Sequence, residues 1–173
     1  MSLILMCGLS FAGKSTFASH LAGELPARII SLDAINAERG LYGGQGIPIA
    51  EWAATNRTAH ERASAALADG ESVIIDDTGS PRFIRDEWRK TAAAADAPFV
   101  IVWVRIDPEL QRQRILANRT ASARGDIVDD VLETHMADFE EPSDEQPVIV
   151  DADKAGLDRV AEVAAHIRQL VRR

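Results

Sequence analysis

The sequence contains a single cysteine, Cys7, among its 173 residues. An intramolecular disulfide bond and a cysteine-based metal site are therefore excluded, and a cysteine at the end of an apolar run is typical of a small core residue. The four histidines are scattered without the spacing of metal ligands. No apolar stretch approaches the length of a membrane span, and the apolar run at the N-terminus is too short for a signal peptide. We therefore expect a cytoplasmic protein without a membrane partner.

Basic residues are also in short supply, because 19 lysines and arginines face 27 aspartates and glutamates and give a net charge of −8 at pH 7. Proteins that hold long nucleic acids usually carry a basic surface, since phosphate neutralisation supplies much of their affinity. The acidic balance therefore favours a small-molecule partner over a nucleic acid. The length and the 46% hydrophobic content predict one domain spanning residues 1–173.

The sequence does contain a glycine loop with a strict pattern. Residues 8–16 read GLSFAGKST and match G-x-x-x-x-G-K-[ST], the phosphate-binding loop. The wholly apolar run Leu3–Cys7 precedes the loop, as a strand buried on both faces would, and a helical pattern follows it as far as Pro26. A chance match to an ordinary strand–helix turn is the alternative, and the flanking pattern disfavours it. The stretch therefore predicts a nucleoside triphosphate site.

Each residue type in this loop has a chemical reason. Gly8 and Gly13 permit the backbone conformations that point successive amides into one anion-binding nest. Lys14 supplies a mobile charge for the outer phosphates, and the Ser15 hydroxyl is placed to coordinate Mg²⁺. The predicted cofactors are therefore ATP and Mg²⁺. The predicted cofactor-binding residues are Gly8, Ser10, Ala12, Gly13, Lys14, Ser15 and Thr16.

Four further apolar runs predict strands at 28–32, 73–75, 99–104 and 147–151, with helical patterns between them. This alternation predicts an α/β fold with a parallel sheet and helices on both of its faces. Residues 36–48 contain four glycines and a proline, which predicts a shaped loop rather than a regular element. The ligand site of such a sheet lies outside the carboxyl ends of its strands.

Carboxylates follow two of the predicted strands. Asp33 follows the second strand, where a kinase needs a base to accept the proton of the attacking hydroxyl, although a helix N-cap is the alternative. Asp76 and Asp77 follow the third strand, where one carboxylate would complete the Mg²⁺ shell opposite Ser15. Periodicity does not decide between Asp76 and Asp77, and a pair of turn-forming acids is the alternative.

An arginine-rich helix is predicted after the fourth strand, and we interpret residues 108–126 as a small helical lid. Arg114 and Arg119 are the candidates for neutralising charge on the transferred phosphoryl group, and Arg112 is interpreted as plain surface. A solvated basic helix face is the alternative for the whole group.

Five residues are candidates for an acceptor site: Asn36, Tyr42, Trp52, Arg82 and Arg85. Tyr42 and Trp52 flank the glycine-rich loop and would form an acceptor wall. Arg82 and Arg85 begin the helix after Asp77, where they would bind an anionic acceptor, with a charged helix exterior as the alternative.

Together these motifs resemble the small P-loop kinases. The polynucleotide kinase-like group is nearest, and the zeta-toxin, chloramphenicol phosphotransferase and gluconate kinase enzymes are similar. Residues 38–142 also resemble a bacterial set described only as ATP-binding or AAA-family proteins of unknown substrate. The resemblance implies a three-layer α/β/α sandwich with strand order 2-3-1-4-5 and transfer of a phosphoryl group from Mg²⁺-ATP to a hydroxyl. It also implies that Asp33 is the general base and that an arginine between Arg114 and Arg119 is the lid residue.

The sequence departs from the polynucleotide kinases at two positions. They carry an arginine three residues after the base, where this chain has the candidate acceptor residue Asn36, and an asparagine where this chain has Gly79. The first departure disfavours a nucleic-acid acceptor. We rank a kinase acting on a small-molecule hydroxyl first, then a 5′-hydroxyl polynucleotide kinase, then an ATP-binding switch without an acceptor. A monomer and a homodimer are both compatible with the sequence.

Overall fold

The computed structural model describes residues 1–42, 46–121 and 127–171. Its strands form one sheet in the order β2-β3-β1-β4-β5, and every neighbouring pair is parallel. This arrangement confirms the α/β fold and the strand order that the resemblance implies. The strands are β1 (Leu3–Cys7), β2 (Ala27–Ser31), β3 (Ser72–Asp76), β4 (Phe99–Arg105) and β5 (Val148–Asp151).

Helices connect the strands and cover both faces of the sheet. The helices are α1 (Lys14–Glu24), α2 (Leu32–Glu38), α3 (Ile49–Ala68), α4 (Arg82–Ala94), α5 (Pro108–Ala121), α6 (Asp129–Ala137) and α7 (Leu157–Leu170). None of the helices in the described part of the chain combines the length and the hydropathy that a bilayer crossing requires.

Strand β1 lies in the middle of the sheet, and this position explains why its sequence is wholly apolar. All five of its residues are fully buried. Ile4 and Met6 belong to the core beneath α1 and α7, whereas Leu3 and Leu5 belong to the core beneath α3 and α4. Because alternate side chains enter opposite cores, the strand needs apolar residues at every position rather than at every second one.

Helix α2 differs from the sequence prediction of a strand followed by a loop. Strand β2 ends at Ser31 and α2 begins at the next residue, so α2 includes the first part of the predicted loop 36–48. The Ser31 hydroxyl accepts a hydrogen bond from the Ala34 amide and is the N-cap. The alternative interpretation of Asp33 as an N-cap was therefore wrong, because Asp33 already lies in the first helical turn.

The predicted lid begins as a regular helix that contacts the phosphate loop. Helix α5 covers residues 108–121, and the remaining residues 122–126 of the predicted lid lie outside the described part of the chain. Ile115 of α5, Leu132 of α6 and Phe11 of the loop form one buried apolar cluster. The two helices and the phosphate loop therefore share a small core of their own.

We expect His60 to make folding stability depend on pH. Its ring stacks on Trp88 with 3.7 Å between centroids, and burial lowers the pKa of His60 below its ordinary value of 6.5. The unfolded chain therefore takes up this proton before the folded chain does, so stability falls as the pH drops below 6.5. We expect His60→Phe, which keeps an aromatic ring against Trp88, to reduce this slope by up to about 1.4 kcal/mol per pH unit.

Urea unfolding of the wild type and of His60→Phe over a series of pH values from neutral to mildly acidic measures this difference. Identical pH dependence of the two proteins would contradict the assignment of the titration to His60.

Candidate active site

The phosphate loop lies between the carboxyl end of β1 and the start of α1. The Gly8 amide donates to the Thr78 carbonyl at 3.0 Å, which ties the loop to the segment that follows β3. Gly8 and Gly13 have φ angles of +142° and +97°, which side-chain-bearing residues rarely adopt. A Cβ atom on Gly8 would also lie 2.3 Å from the Val104 carbonyl oxygen. Both the conformation and the space at this position therefore require glycine.

The start of α1 is suited to an anion. Gly13 is its N-cap and supplies no side-chain hydrogen bond, and the first turn carries no acidic residue. The amides at the end of the helix and its positive dipole are thus left for a ligand. The side chains of Ser15 and Thr16 lie exposed in this turn. The Lys14 Nζ atom donates to the Leu9 carbonyl at 3.0 Å, so the lysine side chain folds over the loop.

The two aspartates after β3 lie in different surroundings. Asp76 is the last residue of β3, and its backbone lies in register with that of Ser31 in β2. The Asp77 carboxylate receives backbone hydrogen bonds from the next two residues and lies close to the charge of Lys14. Burial nevertheless raises the pKa of Asp77 above its ordinary value, because loss of hydration outweighs those favourable interactions.

These residues fit a magnesium ion held together with a nucleotide. The described residues contain no cluster of three or more histidine, cysteine or acidic side chains able to hold a metal by themselves. Mg²⁺ usually binds through one or two protein oxygens and completes its shell with phosphate and water oxygens. The Ser15 hydroxyl and one aspartate after β3 match that requirement.

Asp33 presents an exposed carboxylate at the carboxyl ends of the strands, the end of the sheet at which the phosphate loop also lies. It lies in the first turn of α2, directly after β2. Within the described part of the chain, no hydrogen bond or ion pair involves its carboxylate. Other acidic residues nearby are paired, since Glu38 binds Arg62 and Glu51 binds Arg39. Asp33 is therefore available to a ligand.

Asn36 belongs to α2, and its side chain is buried against α3. Its side-chain oxygen accepts a hydrogen bond from Thr55, and the residue is only 2% exposed. The Asn36 Nδ2 group is buried without a hydrogen-bond partner in the described residues. Trp52 is partly buried against the core below α3, and Tyr42 is 76% exposed just before the undescribed residues 43–45.

The structure contradicts the prediction that Arg85 binds the acceptor. Its side chain is 1% exposed and pairs with Glu145, whose side chain is 3% exposed. Its Nη1 atom donates to the carbonyls of Gly79 and Glu140, each at 2.8 Å. Burial would raise the pKa of Glu145, but hydrogen bonds from Arg85 and Arg89 outweigh that effect and lower it. Arg85 is thus a structural anchor without exposed donors for a ligand.

Arg82 and Arg119 also have acidic partners. Arg82 pairs with Asp144, and Arg119 donates to Asp129 at the start of α6. Both side chains are nevertheless partly exposed, so their predicted roles toward an acceptor and a phosphoryl group stay predictions.

Gln111 is a residue of the site that sequence analysis missed. Its Nε2 atom donates to the Ser10 carbonyl at 2.9 Å, and Arg114 donates to the carbonyls of Phe11 and Ala12 at 3.1 and 3.0 Å. The spacing of three residues between Gln111 and Arg114 places both on one helix face, and this was the signal available in the sequence.

A glycine loop with lysine and serine, placed between β1 and α1 of a 2-3-1-4-5 parallel sheet, defines the P-loop NTPase fold. The chain belongs to the AAA domain family known as AAA_33, whose model matches residues 3–142. No curated protein sequence matches the chain.

Solved structures share this fold over nearly their whole length. A gluconokinase from Sinorhizobium meliloti 1021 has a TM-score of 0.67 at 20% identity, covering 99% of this chain and 94% of that chain. The Mycobacterium tuberculosis APS kinase CysC, in complex with AMPPNP and APS, has a TM-score of 0.68 at 21% identity, with coverages of 99% and 98%. Chaetomium thermophilum Kti12, in complex with ADP-AlF3, has a TM-score of 0.77 at 18% identity, with coverages of 98% and 98%.

Proposed function

We propose that the protein is a kinase that transfers the γ-phosphoryl group of Mg²⁺-ATP to a hydroxyl of a small molecule. The observation that carries this proposal is the exposed, unpaired Asp33 carboxylate at the sheet edge that also holds Lys14 and Ser15. Phosphoryl transfer to a hydroxyl needs a proton acceptor, and a carboxylate at this position can serve as one. The small-molecule kinases among the structural neighbours support the same reaction class.

Different residues at the site then bind different parts of Mg²⁺-ATP, the phosphoryl donor. The backbone amides and Lys14 bind and orient the phosphates. Ser15 and Asp77 would hold Mg²⁺, which neutralises charge on the phosphate oxygens when it is bound. We favour Asp77 over Asp76 because the Asp77 carboxylate lies close to the charge of Lys14.

The acceptor would bind beside α2, within reach of Asp33. A polynucleotide acceptor is disfavoured there because the position of the phosphate-clamping arginine is occupied by the buried, neutral Asn36. The nearby cations Arg39 and Arg62 are neutralised by Glu51 and Glu38. The described part of this surface therefore suits a neutral hydroxyl compound better than a phosphate chain.

The test is ADP release from Mg²⁺-ATP with and without pooled acceptors: sugars, nucleosides, aminoglycosides and hydroxyl-ended oligonucleotides. We expect one small-molecule pool to stimulate ADP release, and Asp33→Asn to lower the stimulated kcat by about 10²–10⁴-fold because the base is lost. The ATP Kd should stay within about twofold, since Asp33 does not belong to the phosphate loop.

Asp69→Asn is the matched control, because Asp69 is an exposed aspartate at the C-terminus of α3, at the opposite edge of the sheet. Full stimulated activity in Asp33→Asn would rule out Asp33 as the base. Bound ATP without stimulation by any pool would instead favour the ATP-binding switch, and stimulation by oligonucleotides alone would favour the polynucleotide kinase.

A further inference from the structure

Helix α5 holds the phosphate loop from its outer side. Three consecutive carbonyls of the loop, those of Ser10, Phe11 and Ala12, accept hydrogen bonds from Gln111 or Arg114. The Nη2 atom of Arg114 donates to the carbonyl of Ala152, just beyond β5, at 2.9 Å. One guanidinium group therefore joins α5, the phosphate loop and the segment after β5.

These contacts fix the direction of the loop amides. In a trans peptide the carbonyl and the N–H group of the same unit point in opposite directions. The carbonyls held by α5 belong to the peptide units whose amides are those of Phe11, Ala12 and Gly13. Holding the carbonyls toward α5 therefore directs these amides away from it, toward the inner side of the loop, where the Ala12 amide donates to the Leu9 carbonyl at 3.3 Å. Hydrogen bonding at a carbonyl also polarises its peptide unit and strengthens the amide as a donor.

The positive charge of Arg114 is not neutralised by a carboxylate in the described part of the chain. All three of its acceptors are neutral carbonyl oxygens, and no carboxylate in the described part of the chain pairs with it. The side chain is half-buried beside Gly13, where a Cβ atom would lie 3.5 Å from Arg114 Nη1. An unneutralised cation this close to the loop raises the positive potential for phosphate.

We propose that Arg114, together with Gln111, is a positioning residue that sets the phosphate affinity of the loop from behind. This role differs from the predicted one, in which Arg114 contacts the transferred phosphoryl group. The inference rests on the nucleotide site of the proposed function and does not depend on the acceptor.

The experiment measures the Kd values of ATP, ADP and inorganic tripolyphosphate for the wild type, Arg114→Ala and Gln111→Leu. We expect Arg114→Ala to weaken all three ligands by a similar factor of about 10–100, because charge-assisted hydrogen bonds to the loop are lost. Gln111→Leu, which nearly keeps the side-chain volume, should weaken all three by about fivefold. Since Gln111 holds the Ser10 carbonyl, one of the three carbonyls bound by α5, Gln111→Leu decides the matter if Arg114→Ala does not fold.

Arg112→Ala is the matched control, because it removes the same charge from an exposed position on the same helix and should leave the three Kd values nearly unchanged. Weaker ATP and ADP binding with unchanged tripolyphosphate binding would overturn the proposal, because the effect would then lie on the nucleoside part of the ligand rather than on its phosphates. Unchanged Kd values with a lower kcat would also overturn it and restore Arg114 as a residue that contacts the phosphoryl group. Because these affinities need no acceptor, they test the inference even if the kinase proposal fails.

Discussion

Replacing Arg85 with methionine should destabilise the fold by about 3–5 kcal/mol, because it leaves Glu145 as a buried carboxylate without its main partner. The Arg85 and Glu145 side chains are 1% and 3% exposed, so water cannot replace the lost ion pair. The carbonyls of Gly79 and Glu140 lose their donor at the same time. The measurement is the free energy of unfolding in urea.

Arg89→Met provides a closely matched control. Arg89 also pairs with Glu145, but its side chain is 41% exposed and Arg85 remains in place when it is removed. An exposed ion pair contributes about 0–1 kcal/mol, so this variant should be close to the wild type in stability. Similar losses in the two variants would show that burial of the Arg85–Glu145 pair is unimportant.

Gly8→Ala should abolish measurable ATP binding and lower stability by about 2–6 kcal/mol, combining backbone strain with a steric clash. The φ angle of +142° disfavours alanine, and the new methyl group would meet the Val104 backbone oxygen at 2.3 Å. Since Val104 belongs to β4, relief requires β1 and β4 to move apart at the end that carries the loop. Isothermal titration with ATP and urea unfolding measure the two effects.

Gly23→Ala serves as the control for the loss of a glycine. Gly23 is an exposed residue of α1 with open space around its Cα atom. Alanine there should stabilise the protein by about 0.4–1 kcal/mol, because it restricts the unfolded chain and favours the helix. Tight ATP binding by Gly8→Ala would contradict the geometry given above for the phosphate loop.

The structure gives a physical reason for each of the two positions, Asn36 and Gly79, at which the sequence departs from the polynucleotide kinases. A Cβ atom on Gly79 would lie 2.9 Å from the Met6 carbonyl oxygen, and its φ angle is +62°. Glycine at this position therefore lets the Asp77–Gly79 segment pack closely against β1. Asn36 is enclosed between α2 and α3, where its oxygen accepts a hydrogen bond from Thr55. The sequence revealed both departures, but their reasons lie in neighbours that are distant along the chain.

The sequence by itself determined the nucleotide loop and the alternation of strands and helices. Residues 3–24 form β1, the loop and α1 without a break, so pattern and spacing within one short segment were sufficient. The short helix α2 was missed because the four glycines of 36–48 dominated the pattern and its first turn reads as the end of a strand. Local signals compete in such a segment, and packing against the sheet decides the outcome.

Only the tertiary structure decided which arginines are buried, which are paired and which hold the phosphate loop. Arg85 meets Glu145 across 60 residues of sequence, and Arg114 meets the Phe11 carbonyl across 103. A guanidinium group looks the same in sequence whether it anchors a loop, pairs with an acid or faces a ligand. Its role is determined by the acceptors that the fold places around it, and those acceptors are backbone and side-chain oxygens from distant parts of the chain.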